Sequence, residues 1–269
     1  MAIRRRRNRR LFVTGGSGFL GHHIVNGPAS QPWEVIAPGS QSLDLRFRES
    51  VTEVLRDWRP TAVIHTAYRK SDRRSIVDAS ANVARAALSV GARFVHVSTD
   101  ALFAGQLAPY TELEQPRPVH QYGIDKADAE AAVARFDPSA VIVRTSLLYG
   151  TTKLSSHELV VRDAISGASP MTFFTDEIRS PLLVGDLAAT LIDLAVMPGV
   201  TGILNVAGPE PLSRAELAVM SARRHGWDAS KIRSSTIEES GLARPSKVVL
   251  DSGLAARHGL GVRGPRDWQ

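Results

Sequence analysis

Residues 11–25 read LFVTGGSGFLGHHIV, and this stretch decides the fold. Leu11, Phe12, Val13 and Thr14 suit a buried strand, and they run straight into Gly15, Gly18 and Gly21 with a helical stretch behind them. That order is the G-x-x-G-x-x-G form of a dinucleotide-binding turn. Gly15 lets the chain turn sharply off the strand, Gly18 lets backbone N–H groups approach a pyrophosphate, and Gly21 lets the helix lie close on the sheet. The helix N-terminus then holds the anion through its unpaired N–H groups and its dipole. A glycine triplet alone is a common turn, whereas one that follows a strand and opens a helix near the N-terminus is far more specific. Ser17, Phe19 and Leu20 complete the expected cofactor-facing turn.

Outward from this stretch, strand-like and helix-like segments alternate. Trp33–Ala37, Ala62–His65, Arg93–Val97 and Ala140–Arg144 read as strands. Glu49–Asp57, Ser75–Val90 and Tyr122–Phe136 read as helices, with Pro60, Gly91 and Asp137-Pro138 as their stops. This alternation predicts βαβ units and an α/β fold, a Rossmann-type doubly wound parallel sheet covered on both faces. After Gly150 the rhythm changes. His157–Ile165 and Val184–Met197 read as helices and Met171–Phe174 and Gly202–Val206 as strands, while Ser213 with Glu216 forms a capping box opening a further helix. We read 11–150 as a dinucleotide-binding domain, with 182–208 returning to it. The remainder of 151–269 is expected to form a smaller substrate-binding lobe over the open ends of the strands.

Composition narrows the function. The chain has 269 residues, 43% of them hydrophobic and 22% charged, and no cysteine, which excludes disulfides, thiolate metal sites and a cysteine nucleophile. No apolar run approaches the roughly 18 residues that span a bilayer. The net charge is +6, but residues 4–10 read RRRRNRR and hold six arginines, so the rest of the chain is formally neutral. We read residues 1–10 as a solvated, disordered leader on a cytoplasmic protein rather than as a nucleic-acid surface. His22 and His23 read as ordinary helix residues. Asp176, Glu177 and Asp186 lack a ligand-spaced histidine, so they read as a loop contact and a helix cap, with no metal expected. Arg69, Lys70, Arg73 and Arg74 read as a solvated face.

Three polar features carry chemistry. Ser98-Thr99-Asp100 follows the fourth strand directly, and open parallel sheets bind ligands beyond the carboxyl ends of their strands. Tyr122 and Lys126 are four apart on a helix and share one face. The glycine turn is the third. Together they suggest hydride transfer with a tyrosine acid. A free tyrosine has a pKa of about 10, and a neighbouring ammonium and nicotinamide cation both favour the phenolate. Tyr122 would then give its proton to the alkoxide formed at a carbonyl, Thr99 would hold that oxygen, and Lys126 would also bond the nicotinamide ribose.

These features sit in a wider pattern: TGGSGFLG (14–21), LDL (43–45), VIHTA (63–67), STDALF (98–103), PYTELEQPRP (109–118), YGIDK (122–126), RTSLLYG (144–150), DEIRSP (176–181), GDLA (185–188) and RPSKVVLD (244–251). In it the chain resembles the extended short-chain dehydrogenase/reductases, and among them the dTDP-4-dehydrorhamnose reductase group of sugar-nucleotide-binding proteins. The resemblance implies NAD(P)H-dependent reduction of a nucleotide-linked 4-keto-6-deoxy sugar, with Tyr122 as acid, Lys126 as its partner and Thr99 as third member. It implies that Asp44 and Leu45 line the adenine pocket and that Thr66, Ala67 and Tyr68 run beside the cofactor. Asp100, Ala101, Leu147, Arg179 and Arg244 would face the sugar nucleotide. Helices 75–90 and 122–136 leave room for a homodimer of the kind extended members often form.

The chain departs from this group at informative places. Ala101 stands where a tyrosine is usual, Leu147 where a tryptophan is usual, and Glu177 where a glutamine is usual. These departures fit a related keto sugar, or one needing a wider pocket, better than dTDP-4-dehydrorhamnose itself. They also keep two alternatives open: a non-catalytic dinucleotide-binding regulatory subunit of another enzyme, and a sugar-nucleotide epimerase or dehydratase. The second strand ends in Pro38-Gly39-Ser40-Gln41, with no carboxylate to repel a 2′-phosphate, and Ser40 would bond one. The reading therefore leans to NADPH over NADH.

Overall fold

A computed structural model of the chain describes residues 9–150 and 153–267. The expected disordered leader lies outside the described residues as far as residue 8. Arg9 and Arg10 instead open the first strand. Arg10 is held there by its neighbours: its backbone N–H donates to Thr61 Oγ1 at 3.1 Å, its Nε to Glu34 at 3.1 Å, and its Nη1 to the Trp58 carbonyl.

In chain order the elements are β1 (Arg9–Thr14), α1 (Phe19–Asn26), β2 (Trp33–Ile36), α2 (Arg48–Trp58), β3 (Ala62–His65), α3 (Arg73–Ser89), β4 (Arg93–Val97), α4 (Gln121–Phe136) and β5 (Val141–Arg144). Then follow β6 (Leu148–Tyr149), α5 (Ser156–Ser166), β7 (Thr172–Phe174), β8 (Ile178–Arg179), β9 (Leu182–Leu183), α6 (Val184–Leu194), β10 (Gly202–Asn205), β11 (Leu212–Ser213), α7 (Arg214–Arg224), β12 (Arg233–Ser235), α8 (Ile237–Ser240) and α9 (Gly253–Arg257). The long elements agree with the sequence reading to within a few residues. The two-residue strands after Gly150 are too short to leave a periodic signal.

The central sheet has six strands in the order β10-β5-β4-β3-β1-β2, and β1 pairs in parallel with both β2 and β3, as β3 does with β4. This is the α/β architecture with a central parallel sheet that the alternation predicts. The chain leaves β1 toward β2 on one side and returns as β3 on the other, which makes the β1/β3 boundary the switch point where such sheets bind ligands.

By contacts the chain divides into two compact units. The first comprises the described residues up to Val97 with Asp128–Ile142 and Leu191–Gly202, and the second comprises Ser98–Ala127, Val143–Thr190 and the described residues from Ile203 onward. In the first, α2 and α3 present Val51, Leu55, Val83 and Ala87 to Phe12, Val63 and Phe94 of the sheet, all fully buried. Each of the larger side chains contributes roughly 1.5–3 kcal/mol by leaving water. In the second, α5 and α7 pack around Phe173 through Val161, Ala215, Ala218 and Ala222. Both helices open with a capping box, Ser155 with Glu158 and Ser213 with Glu216. Among the described residues no helix is long and apolar enough to cross a membrane.

The glycine turn tests the packing argument. Adding a methyl group at Gly21 would drive it into the Gly15 carbonyl, whereas one at Gly199 would meet nothing within 4 Å. Gly21→Ala is expected to lose about 1–3 kcal/mol of stability in denaturant melts. Gly199→Ala is expected to stay within about 0.5 kcal/mol of the parent.

Candidate active site

In the first unit, β1 delivers the chain to Gly15 at φ +74°, a conformation an L side chain rarely adopts. There the turn closes on the end of β3. A Cβ on Gly15 would lie 2.7 Å from Thr66 Oγ1 and 2.9 Å from the Ala67 backbone. The Gly18 N–H donates to the Gly15 carbonyl at 2.9 Å. No side chain caps α1 at Gly18, so the first N–H groups of the helix are offered outward. Ser17 and Gly18 are exposed, Phe19 is half-buried, and Leu20 and Gly21 are buried. A turn with glycine at 15, 16 and 18 before an uncapped helix N-terminus fits a dinucleotide pyrophosphate.

Beneath the turn runs a polar chain that sequence reasoning missed. The Thr14 hydroxyl accepts the N–H groups of Thr66 and Ala67 at 3.2 and 3.3 Å and sits 2.7 Å from His65 Nδ1. His65 Nε2 lies 3.1 Å from the Ser80 hydroxyl, which donates to the Ile76 carbonyl at 2.6 Å. With Ser80 donating onward, the ring carries its proton on Nε2 and accepts from Thr14 on Nδ1. A histidine closing the apolar run AVIH was the available signal.

At the expected adenine edge, Asp44 is taken by Arg46, which donates from its backbone N–H at 3.0 Å and from its guanidinium at 2.7–3.1 Å. These hydrogen bonds hold the Asp44 carboxyl down at about 2. Arg46 also reaches Asp72, the N-cap of α3, at 3.3 Å. Leu45 packs against the core, its carbonyl accepting Asn82 Nδ2 at 3.0 Å, and Tyr68 is exposed.

In the second unit, Thr99 caps a short 3₁₀ turn, Asp100–Leu102, its hydroxyl accepting the Ala101 N–H at 3.2 Å. Asp100 is buried, and its carboxylate accepts the Ser146 hydroxyl at 2.5 Å. Burial pushes this carboxyl up, against the opposing pull of Arg179 and Ser146. The start of α4 lies directly on this turn. A Cβ on Gly123 would collide with the Ala101 carbonyl and come within 2.7 Å of Pro118. The helix carrying Tyr122 and Lys126 therefore abuts the turn carrying Thr99, with Lys126 buried and Tyr122 half-buried. Leu147 packs with Tyr149 and Leu217.

The two arginines expected at the substrate are engaged by their own chain. Arg179 is buried and donates to the carbonyls of Ile178 at 2.7 Å and Pro245 at 3.0 Å, and to Glu177 at 3.2 Å. Arg244 grips both oxygens of Glu177, at 2.6 and 3.0 Å, while its Nη1 stays outside that fork. Burial raises the Glu177 carboxyl, but the hydrogen bonds from Arg244 and the charge of Arg179 outweigh it and hold it below its usual range. Arg214, at the first position of α7, donates its backbone N–H to the Glu177 carbonyl at 3.0 Å and shares this charge cluster. Nothing in the sequence pattern marked it. Asp176 accepts the Ile237 N–H at 2.9 Å, a loop contact as expected. Asp186 lies within the first turn of α6 and takes Arg263 rather than capping the helix. Among the described residues no three His, Asp or Glu side chains gather as metal ligands.

The parallel sheet and its glycine turn define a Rossmann-type protein of the extended short-chain dehydrogenase/reductase kind. The chain belongs to the RmlD substrate binding domain family, whose model matches residues 9–269. It is 28% identical to dTDP-4-dehydrorhamnose reductase of Mycolicibacterium smegmatis over 272 residues, covering 97% of this chain and 83% of that one. It is also 28% identical to methionine adenosyltransferase 2 subunit beta of Xenopus laevis over 285 residues, covering 96% and 85%. The crystal structure of Bacillus anthracis dTDP-4-dehydrorhamnose reductase in complex with NADP superposes with a TM-score of 0.87 at 25% identity, covering 97% of this chain and 96% of that one.

The Glu177 cluster predicts a pH signature. Its folded pKa is depressed, so its contribution to stability is present above the unfolded value near 4.5 and is lost as pH falls through the folded value. Glu177→Gln is expected to cost about 3 kcal/mol near pH 7, because the buried Arg179 guanidinium loses its anion and the more exposed Arg244 loses its anchor. In thermal melts across pH, the gap to the parent protein should narrow as pH falls below about 4.5 and close once pH is below the folded value.

Proposed function

We propose that this protein is an NADPH-dependent reductase of a nucleotide-linked 4-keto-6-deoxy sugar. The observation that carries the reading is the seat of α4 on the turn after β4, where Gly123 lets the helix of Tyr122 and Lys126 meet the turn of Thr99. The glycine cradle and the uncapped start of α1 would hold the cofactor pyrophosphate, with Thr66 and Ala67 alongside. Bound NADPH supplies the hydride. Tyr122 Oη donates its proton to the carbonyl oxygen as that oxygen gains negative charge. The buried Lys126 ammonium favours the phenolate left behind, and the Thr99 hydroxyl orients the oxygen. The relative solved with NADP and the absence of a carboxylate at 38–41 support NADPH over NADH.

A second reading is a regulatory subunit that binds a dinucleotide without turning over a sugar. The likeness to methionine adenosyltransferase 2 subunit beta and the non-aromatic side chains at Ala101 and Leu147 favour it.

NADPH absorbance, followed against a panel of nucleotide-linked 4-keto-6-deoxy sugars, separates the two. Under the reductase reading, Tyr122→Phe lowers turnover roughly 10²–10⁴-fold while NADPH affinity is retained. Undiminished turnover in that variant removes the proposed role of Tyr122. No oxidation across the panel, with NADPH bound and a second enzyme co-purifying in fixed ratio, selects the regulatory subunit.

A further inference from the structure

Arg214 breaks a local rule. It is the first residue of α7, where the helix dipole favours anions and disfavours cations. Its neighbours follow the rule: the Ser213 hydroxyl accepts the Glu216 N–H at 3.0 Å, and the Glu216 carboxylate accepts the Ser213 N–H at 2.7 Å. Among the described residues the Arg214 guanidinium makes no hydrogen bond and no ion pair. Its charged surroundings do not compensate it. Burial pulls its pKa down, Glu177 and Asp100 act to raise it, and Arg179 and Arg244 act to lower it. Both oxygens of Glu177 already accept from Arg244 and Arg179, and Asp100 is tied to Ser146. His157, which also feels Arg214, is pushed down to about 3 by burial and by that charge, so it is neutral near pH 7. Three guanidinium groups thus share one carboxylate, and the one on the helix N-terminus has its donors open.

We propose that Arg214, with the outward edge of Arg244, receives an acidic group carried on the sugar of the bound substrate. The substrate class is then a nucleotide-linked keto sugar that bears a carboxylate, an inference that rests on the reductase reading above. Arginine suits this task because its planar donors match a carboxylate two to two. The sugar, rather than the diphosphate, is indicated by position. Asp100, which shares the field of Arg214, directly follows Thr99, and its partner Ser146 directly precedes Leu147. Ala101 follows Asp100 and Leu147 follows Ser146 in the chain, so both stand beside this hydrogen-bonded pair.

The test uses inert probes in pairs: dTDP-glucuronic acid against dTDP-glucose, UDP-glucuronic acid against UDP-glucose, and the free nucleoside diphosphates. Titration calorimetry on the full chain and on Arg214→Gln reads the affinities. At least one glucuronate is expected to bind about tenfold or more tighter than its glucose partner. That preference should fall to within about twofold in Arg214→Gln, and Arg214→Lys should keep part of it. An unchanged thermal midpoint confirms that the variants fold, and nucleoside diphosphate affinity should not change. Equal affinity for acidic and neutral probes overturns the proposal, as does failure of both glucuronates to bind. An equal loss of nucleoside diphosphate affinity in Arg214→Gln also overturns it, by assigning Arg214 to the diphosphate. NADPH oxidation by neutral keto sugars, undiminished in Arg214→Gln, would leave the reductase standing and remove the acidic group. An acidic preference with no oxidation of any keto sugar would do the reverse.

Discussion

The close approach of backbone to backbone at the end of β1 is the constraint on which the first unit depends. Gly21 lies against the Gly15 carbonyl, and Gly15 lies against Thr66 and Ala67. No side chain fits in either contact, so α1 settles directly on the sheet and its first N–H groups remain uncapped. The Thr14 hydroxyl ties the two backbone amides after β3, and His65 and Ser80 anchor that hydroxyl from below. A buried polar chain of this kind is stabilising only when every member has a partner, and here each link supplies the next.

The second unit solves a different problem, that of holding charge in a poorly hydrated place. Glu177 is almost fully buried and is ionised at neutral pH because Arg244 and Arg179 surround it. Breaking such a pair is costly, while its net contribution over an apolar replacement is small. The cluster therefore specifies an arrangement more than it adds stability: it joins the 176–181 segment to the chain at 244–246 and to the start of α7. Gly123 does comparable work without charge, by letting α4 touch the turn at Ala101.

The alternation of strands and helices, the glycine turn and the Ser213–Glu216 box were legible because each is written in local period or spacing. Arg10 fell outside that reading, since a run of arginines resembles a solvated tail until Glu34 and Trp58 are seen beside it. Arg179 and Arg244 were legible as arginines of the DEIRSP and RPSKVVLD stretches, but not as partners of Glu177. His65 stood only inside the VIHTA stretch with no role assigned to it, and Arg214 gave no motif at all.

By itself the sequence determined the class of fold and the place of the glycine turn, since strand and helix periods and the demands of glycine act over a few residues. Tertiary structure alone decided which charged groups are engaged and which remain open. Arg179 and Glu177 are near neighbours in the chain, but Arg244 lies 67 residues from Glu177, and only the folded chain brings them together. A guanidinium binds whichever carboxylate or carbonyl folding sets before it, and no local pattern encodes that choice.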